Sequence, residues 1–337
     1  MAKRKYSKMK KVEPSVQTML FATPSIANGA TGSFYIDLSQ CASLLNRRFY
    51  RQGVNWAVGS IKILAAAFTG AVQVSKLPNT WVLSNSWEKS FRSWQRMNKD
   101  AIDDSEQESL MGKFLDFKIY ADNTHHTAGF AANLLPIDIL GNTATRGEWL
   151  ASEVVVPLTN TPGSSTSFEI IGVGPNYPGA GASGLNAVSM IEGYANSRAL
   201  PSITDPNTPG DATDSGGATP ENWLVGTFNE GTTQDSAVID HITDYDQPPY
   251  PYENDGTNTD TMYPGGETQL PALQVHDYEF ITSTTVGGTT RLNGGNFPCG
   301  LMRFDCSNSG TTSNVVIQID LVPGNHRGYL CEPMTEM

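Results

Sequence analysis

Ten short apolar segments separated by turn residues constrain the fold of this chain most strongly. They are rich in β-branched and aromatic residues, and Gly, Pro or Asn bounds them, which is typical of β-strands. The last segment alternates apolar and polar residues near its end, as a half-buried strand does. The segments are Val16–Ala22, Gly32–Leu38, Asn55–Leu64, Ala71–Lys76, Gly112–Ala121, Glu148–Leu158, Ser167–Val173, His276–Val286, Pro298–Cys306 and Ser313–Val322.

The composition favours an all-β protein over a helical one. Charged residues make up only 17% of the 337 residues, whereas Gly and Pro number 32 and 20. A helical bundle or coiled coil would be richer in Ala, Glu, Lys and Leu. The length fits two domains or one large all-β domain with insertions, and a hydrophobic fraction of 39% suffices for a sizeable core.

Helices are predicted at two places. Asn85 and Glu88 have the spacing of a capping box, and Trp87, Phe91 and Trp94 would then share one face of the helix. A second helix is compatible with about Leu185–Ala195. The fold class expected is therefore an all-β sandwich with one or two short helices and long loop insertions.

Charge is distributed very unevenly along the chain. Residues 1–118 hold 17 Lys and Arg against 9 Asp and Glu, whereas residues 119–337 hold 5 against 25. The net charges of the two parts are +8 and −20, which give −12 for the whole chain. Such polarity predicts one surface that meets a polyanion and another that meets water.

Two basic clusters are the candidate nucleic-acid-binding residues. The first is an arm, residues 1–12, whose cations would neutralise phosphates; a solvated tail or a nuclear-import signal is the alternative, and import is compatible with nucleic-acid binding. The second lies in Arg47-Arg-Phe-Tyr-Arg51, where packing or salt bridges between subunits is the alternative. The candidates are Lys3, Arg4, Lys5, Lys8, Lys10, Lys11, Arg47, Arg48 and Arg51.

Residues 200–272 form an acidic insertion rich in Pro, Gly, Asp, Asn and Thr. We expect a turn-rich elaboration on the outer surface, because its carboxylates would repel a phosphate-filled interior; disorder is the alternative. Its acids, which no Lys or Arg accompanies, are Asp205, Asp211, Asp214, Glu221, Glu230, Asp235, Asp240, Asp244, Asp246, Glu253, Asp255, Asp260 and Glu267.

Motifs for catalysis, metals or cofactors are weak, so no enzyme activity, cofactor or metal is expected. Gly179-Ala-Gly-Ala-Ser-Gly184 has the letters of a dinucleotide fingerprint, but Gly174–Pro178 separates it from the preceding strand. His125-His126 lacks a third ligand, and Glu253–Asp260 departs from the calcium-loop pattern. No Gly-x-Ser-x-Gly elbow or P-loop occurs in the sequence.

Neither a membrane span nor a disulfide framework is expected. The most apolar stretch, Trp56–Val74, carries Lys62 near its centre and fits two strands better than a membrane helix. The apolar stretch that follows the basic start is too short for a secretory signal. Cys41, Cys299, Cys306 and Cys331 have no disulfide or zinc spacing, which indicates buried free thiols.

This layout of basic arm, β-rich body and acidic insertion resembles the capsid proteins of small circular single-stranded DNA viruses. The segment Leu44-Leu-Asn-Arg-Arg-Phe-Tyr-Arg-Gln-Gly-Val-Asn-Trp56 is similar to the early-strand region of those proteins. The resemblance implies a single jelly roll of eight strands in two sheets, over residues 13–199 and 273–337, and an icosahedral shell of identical subunits. It also implies an inward basic arm, a single-stranded DNA genome as partner and the virion as location.

Two other functions stay open at this stage. A carbohydrate- or surface-binding sandwich would use aromatic residues of the acidic insertion to stack on sugars. These aromatics are Trp223, Tyr245, Tyr250, Tyr252 and Tyr263. For an enzyme, the Gly179–Gly184 loop is the only sequence feature that supports the hypothesis.

Overall fold

The architecture was obtained as a computed structural model. It describes residues 14–65, 67–104, 116–157, 165–176, 179–197, 272–282 and 288–337. Within these ranges the chain forms fourteen strands and four α-helices. The strands are β1 (Thr18–Ala22), β2 (Thr31–Asp37), β3 (Val54–Leu64), β4 (Gly70–Lys76), β5 (Val154–Pro157), β6 (Ser165–Ile171), β7 (Asn186–Ser189), β8 (Gln274–Ile281), β9 (Thr289–Phe297), β10 (Leu301–Asn308), β11 (Val316–Leu321), β12 (Pro323–Gly324), β13 (Gly328–Tyr329) and β14 (Cys331–Pro333). The helices are α1 (Leu38–Asn46), α2 (Trp81–Asp104), α3 (Asn123–Ala128) and α4 (Met190–Ser197).

Two antiparallel sheets form the body of the molecule. The first has the order β1-β11-β3-β9, and β14 extends it by pairing with the first residues of β3. The second has the order β2-β10-β4-β8. The all-β sandwich expected from the sequence is therefore confirmed.

The main hydrophobic core lies between these two sheets. Phe21 and Ile317 from the first sheet and Val72 and Phe304 from the second belong to one buried cluster. The alternating sequence of β11 determines which of its side chains face the core. Ile317, Ile319 and Leu321 point inward, whereas Gln318 and Asp320 are partly exposed. Each such aliphatic or aromatic side chain stabilises the fold by about 1.5–3 kcal/mol.

The chain between β4 and β8 builds a second, smaller layer. Strands β5, β6 and β7 form a mixed sheet, with β6 and β7 parallel. Phe168 and Val188 of this sheet share a buried cluster with Trp87 of α2 and Tyr194 of α4. This layer falls within the region that the sequence assigned to the jelly-roll domain.

Helix α2 has the predicted apolar face but a different start. Trp87 is buried, and Phe91 packs against its ring at 5.2 Å between centroids, with Trp94 next along the same face. The capping role predicted for Asn85 is wrong, because α2 begins at Trp81. Thr80 accepts the N–H groups of Leu83 and Ser84 instead, and Asn85 donates to the hydroxyl of Tyr194.

Other elements differ from the sequence-based expectation. Strands β7, β9, β12, β13 and β14 and helices α1 and α3 were not predicted, and four helices occur where one or two were expected. The helix expected over about Leu185–Ala195 begins only at Met190, because Asn186–Ser189 pair with β6 as strand β7. Of the segment predicted as a strand at 112–121, residues 116–121 are described, and there Tyr120 forms only an isolated bridge with Ile171. Among the described residues, no helix combines the length and apolar character needed to cross a membrane.

Candidate nucleic-acid interface

The predicted nucleic-acid-binding residues fall into two groups in the structure. Lys3, Arg4, Lys5, Lys8, Lys10 and Lys11 lie outside the described residues. Arg47, Arg48 and Arg51 lie in the loop that joins α1 to β3, and all three side chains are exposed. The second group can therefore be built up from its neighbours.

Helix α1 determines where this basic loop begins. The carboxylate of Asp37 accepts the N–H groups of Ser39 at 2.9 Å and Gln40 at 3.2 Å, which caps the N-terminus of α1. The helix ends at Arg47, whose φ of 52° and ψ of 41° lie in the left-handed region. This conformation turns the chain out of the helix, so the following residues form an exposed loop.

A buried tyrosine and a C-terminal arginine fix the basic loop from the inside. Tyr50 is fully buried, and its hydroxyl donates to the carbonyl oxygen of Arg327 at 2.9 Å. In return, the Arg327 guanidinium donates to the carbonyl oxygen of Phe49. The pair holds the β12–β13 turn against the loop, which adds a fourth arginine to this end of the molecule.

Two arginines of this region, Arg51 and Arg327, act electrostatically on the same histidine, His326. Burial lowers the pKa of His326, and the positive charges of Arg51 and Arg327 lower it further. Within the described part of the chain, neither Arg47 nor Arg51 has a carboxylate within salt-bridge distance. Arg303, by contrast, pairs with Asp122 at 2.9 Å. Arg47 and Arg51 therefore present uncompensated charge to solvent.

Val16, which we call the root of the basic arm because it lies four residues after residue 12, is held directly beside this loop. The N–H of Val16 donates to Oδ1 of Asn46 at 3.0 Å, and the hydroxyl of Tyr329 donates to the carbonyl oxygen of Val16 at 2.6 Å. Asn46 in turn donates to that hydroxyl at 2.7 Å. Because Asn46 immediately precedes Arg47, residue 16 is held next to the loop. In the sequence, four residues, 12–15, separate Lys11 from Val16.

The outward face of the first sheet carries two more cations. Lys62 and Arg291 lie opposite each other in the β3–β9 register. Lys62 is paired with Asp320 at 2.8 Å, and Thr18 and Ser60 also donate to that carboxylate. Partial burial raises the pKa of Asp320, but these donors and Gln318 outweigh it and hold the pKa below its usual value. Lys62 is thus neutralised locally, whereas Arg291 is exposed.

The cations Arg291 and Arg327 were missed by sequence reasoning. The sequence could have indicated them, because only five Lys or Arg residues occur after residue 118. Each cation in so acidic a stretch is a candidate for a specific contact. Their position beside Lys62 and Phe49, however, depends on pairing between strands distant in sequence.

Comparisons of the chain with protein-family models, curated proteins and solved structures found no match. The assignment of a function therefore rests on the geometry of the molecule itself.

The His125-His126 pair is divided between two separate hydrogen-bond networks. His125 lies 2.9 Å from the Asn133 side-chain oxygen and accepts the N–H of Ala121. His126 lies 2.8 Å from a carboxylate oxygen of Glu169. Among the described residues, no group of three or more His, Cys, Asp or Glu side chains could hold a metal ion. The segment Glu253–Asp260 lies outside those residues.

The glycine-rich loop Gly179–Gly184 is largely exposed, and its middle glycine, Gly181, packs against His126. A Cβ at Gly181 would lie 2.5 Å from the ring of His126. Ser183 donates to the same Glu169 carboxylate at 2.8 Å. The loop continues into strand β7, and helix α4 begins only at Met190. No helix N-terminus therefore follows the loop directly, as the dinucleotide motif requires.

The acidic insertion contributes nothing to this description. Nearly all of it, residues 200–271, lies outside the described residues, including the aromatic side chains considered for sugar stacking. Its placement on an outer surface stays a prediction.

Proposed function

We propose that this chain is a structural capsid protein that self-assembles into an icosahedral shell around a single-stranded DNA genome. The observation that carries the proposal is that Val16, four residues after the basic arm, is held beside the loop of Arg47, Arg48 and Arg51. Two basic segments of a chain whose net charge is −12 are thereby separated by only a few residues of chain.

The strand order supports a single jelly roll as the scaffold of the shell. Leaving out the short β14, the two large sheets have eight strands, and when these are counted along the chain one sheet has the order first, eighth, third, sixth. The facing sheet has the order second, seventh, fourth, fifth. This arrangement is what two Greek keys folded on each other produce. Because one fold serves many functions, the scaffold by itself does not assign the role.

Charge supports the polyanionic partner. Arginine side chains without a nearby carboxylate bind phosphate oxygens readily, in a bidentate manner. Each phosphate contact on a single strand contributes about −0.7 to the slope of log affinity against log salt. Six arm cations alone would give a slope of about −4, and the basic loop adds to it. Such contacts read the backbone, so they bind any single strand irrespective of its sequence.

Deletion of residues 1–12 tests the role of the arm. We expect shells to form at a similar protein concentration but to contain much less nuclease-protected nucleic acid. A second variant replaces only the six arm cations with Gln and keeps the length of the chain, which separates the effect of charge from that of chain length. Unchanged packaging by both variants would contradict the arm assignment, and sensitivity of the wild-type cargo to ribonuclease alone would contradict DNA as the genome.

A further inference from the structure

An open pocket of about 540 Å³ lies at one end of the second sheet. Four of its lining residues form a single row across the sheet, because they lie opposite one another in the register of β2, β10, β4 and β8. They are Thr31, Ser307, Ala71 and Phe280. The next residue of β4, Val72, belongs to the core between the sheets, so this row faces outward. We call this cavity the Phe280 pocket.

Phe280 gives the pocket an exposed aromatic wall. Its side chain is 67% exposed, and its ring lies 5.1 Å from the ring of Tyr278 in an edge-to-face arrangement. This contact orients the Phe280 ring. The residue opposite Phe280 in the neighbouring strand is the small Ala71, which leaves space beside the ring. The C–H groups of a sugar ring pack well on an aromatic surface of this kind.

The remainder of the pocket wall is rich in hydroxyl and amide groups. The hydroxyls of Thr31 and Ser307 are exposed and lie 2.8 Å apart. Within the part of the chain that the structure describes, the side chains of Asn28 and Thr69 have no hydrogen-bond partner. Hydroxyl and amide groups both donate and accept hydrogen bonds, as the hydroxyls of a sugar do. The wall therefore complements a ligand that carries several hydroxyl groups.

The absence of charge from the described lining restricts the class of ligand. Every described residue that lines the Phe280 pocket is uncharged. Residues 283–287, which follow β8 closely in the sequence, are uncharged as well. A nucleotide or a sulfated sugar would bring an anion to a wall that offers it no cation. The volume lies within the range of small-molecule sites, about 300–1,000 Å³, which is enough for a mono- or disaccharide.

The Phe280 pocket lies far from the candidate nucleic-acid interface. In the pairing of β2 with β10, Ser307 is opposite Thr31 at one end, whereas Leu301 is opposite Asp37 at the other. Asp37 caps α1, which leads into the basic loop. Six residues of strand separate the two ends, or about 20 Å. If the basic loop faces a genome, the pocket lies at the end of these strands that is directed away from it.

We propose that the Phe280 pocket binds a neutral carbohydrate, one sugar ring of which stacks on Phe280. The hydroxyl groups of the sugar bond to the hydroxyls and amides of the wall. The inference goes beyond the proposed capsid function and does not depend on it, because all the residues that carry it belong to one copy of the chain. The stacking residue also differs from the aromatics of the acidic insertion.

Saturation-transfer NMR on the full-length protein tests the proposal with a panel of neutral saccharides. The panel contains the methyl glycosides of glucose, galactose, mannose and N-acetylglucosamine, together with lactose. We expect at least one of them to bind with a Kd of about 1 mM, which is typical of so small a ligand. Phe280→Ala should weaken that binding about tenfold or more, because it removes the stacking surface. Thr69→Val, which keeps the shape but removes a hydroxyl, should weaken it several-fold.

Control variants separate the pocket from the rest of the surface. Trp81→Ala removes an aromatic side chain that is 42% exposed outside the pocket, and it should bind the saccharide as the wild type does. Ala71→Leu should block binding, because the larger side chain fills the space beside Phe280. Since Phe280 and Thr69 are at least partly exposed, their variants should unfold at the temperature of the wild type.

Three results would overturn the carbohydrate proposal. The first is no signal from any neutral saccharide at about 10 mM, well above the expected Kd. The second is equal binding by the wild type and Phe280→Ala. The third is stronger binding of sialyllactose, which carries a carboxylate, than of lactose. None of these results bears on the capsid proposal, which the arm deletion tests separately.

Discussion

The backbone N–H of Val16 donates to the side-chain oxygen of Asn46 at 3.0 Å, one residue before Arg47. This bond connects the root of the basic arm to the C-terminal end of α1. The same asparagine donates to the hydroxyl of Tyr329, which donates to the carbonyl of Val16. Three segments distant in sequence therefore meet at the candidate nucleic-acid interface.

Replacing Asn46 with Ala should destabilise the fold through this junction. The change removes the acceptor of Val16 and a donor to Tyr329, and we expect the free energy of unfolding to fall by about 1–2 kcal/mol. Urea denaturation measures it. The control is Asn98→Ala in α2, since Asn98 and Asn46 are both partly exposed and both donate to the carbonyl four residues earlier. Asn46 additionally bonds to Val16 and Tyr329. Equal losses in both variants would contradict a special role for Asn46.

Replacing Arg47 and Arg51 with Ala should weaken binding of single-stranded DNA in a salt-dependent way. If each arginine contacts one phosphate, the slope of log affinity against log salt becomes less negative by about 1.4. Fluorescence anisotropy with an oligonucleotide at several salt concentrations measures the slope. Arg92 and Arg96, which pair with Glu88 and Asp100 on α2, provide the control double variant. A slope that changes equally in both double variants would contradict a specific contribution of the basic loop to DNA binding.

Asp37→Asn should be strongly destabilising at neutral pH. The buried carboxylate accepts four donors, from Ser39, Gln40, Gln52 and Trp149. An amide would turn its own N–H groups toward some of them and leave buried donors unpaired, at about 1–3 kcal/mol for each unpaired group. Thermal or chemical denaturation would detect the loss. Unchanged stability would mean that the network can rearrange around an amide.

Stability in weak acid should depend on His125 and Asp37 with opposite signs. Burial lowers the pKa of His125 to about 4 in the folded protein. As the pH falls from about 6.5 to 4, the unfolded chain therefore binds a proton at this histidine that the folded protein does not bind, and the free energy of unfolding decreases. Burial raises the pKa of Asp37 to about 6 in the folded protein, although four hydrogen bonds to its carboxylate oppose this. As the pH falls from about 6 to 4, the folded protein therefore binds a proton at Asp37 before the unfolded chain does, and the free energy of unfolding increases. The two contributions are each about 3 kcal/mol and largely cancel.

Single variants separate the two contributions. His125→Gln should become relatively more stable as the pH falls from 6.5 to 4, whereas Asp37→Asn should lose stability more steeply than the wild type. Unfolding free energies measured by urea denaturation at three or four pH values give both slopes. Parallel profiles for all three proteins would contradict the buried states inferred for these groups.

The body of the fold could be predicted from sequence because its strands carry a local signal. Alternation in Val315–Val322 and β-branched runs such as Asn55–Leu64 identify strands without knowledge of their partners. Strand β9 escaped notice because Asn293, Gly294, Gly295 and Asn296 interrupt its pattern. Its glycines are required by close packing, since a Cβ at Gly294 would lie 2.4 Å from the carbonyl oxygens of Val58 and Gly59. That requirement arises from tertiary structure, which the sequence pattern does not contain.

The candidate nucleic-acid interface was only partly predictable for the same reason. The cation density of Arg47–Arg51 is a local feature, and it identified the loop directly. Arg327 joins the loop only through its bond to the carbonyl of Phe49, 278 residues away. Asp37 gave no sequence signal beyond that of a strand end, yet it caps α1 and so helps to position the basic loop.

Electron microscopy of the purified protein would show whether this chain assembles into a shell. We expect uniform, closed, roughly spherical shells that form from this one protein without other components. A field of dispersed monomers or small oligomers at every protein concentration and salt concentration would contradict it.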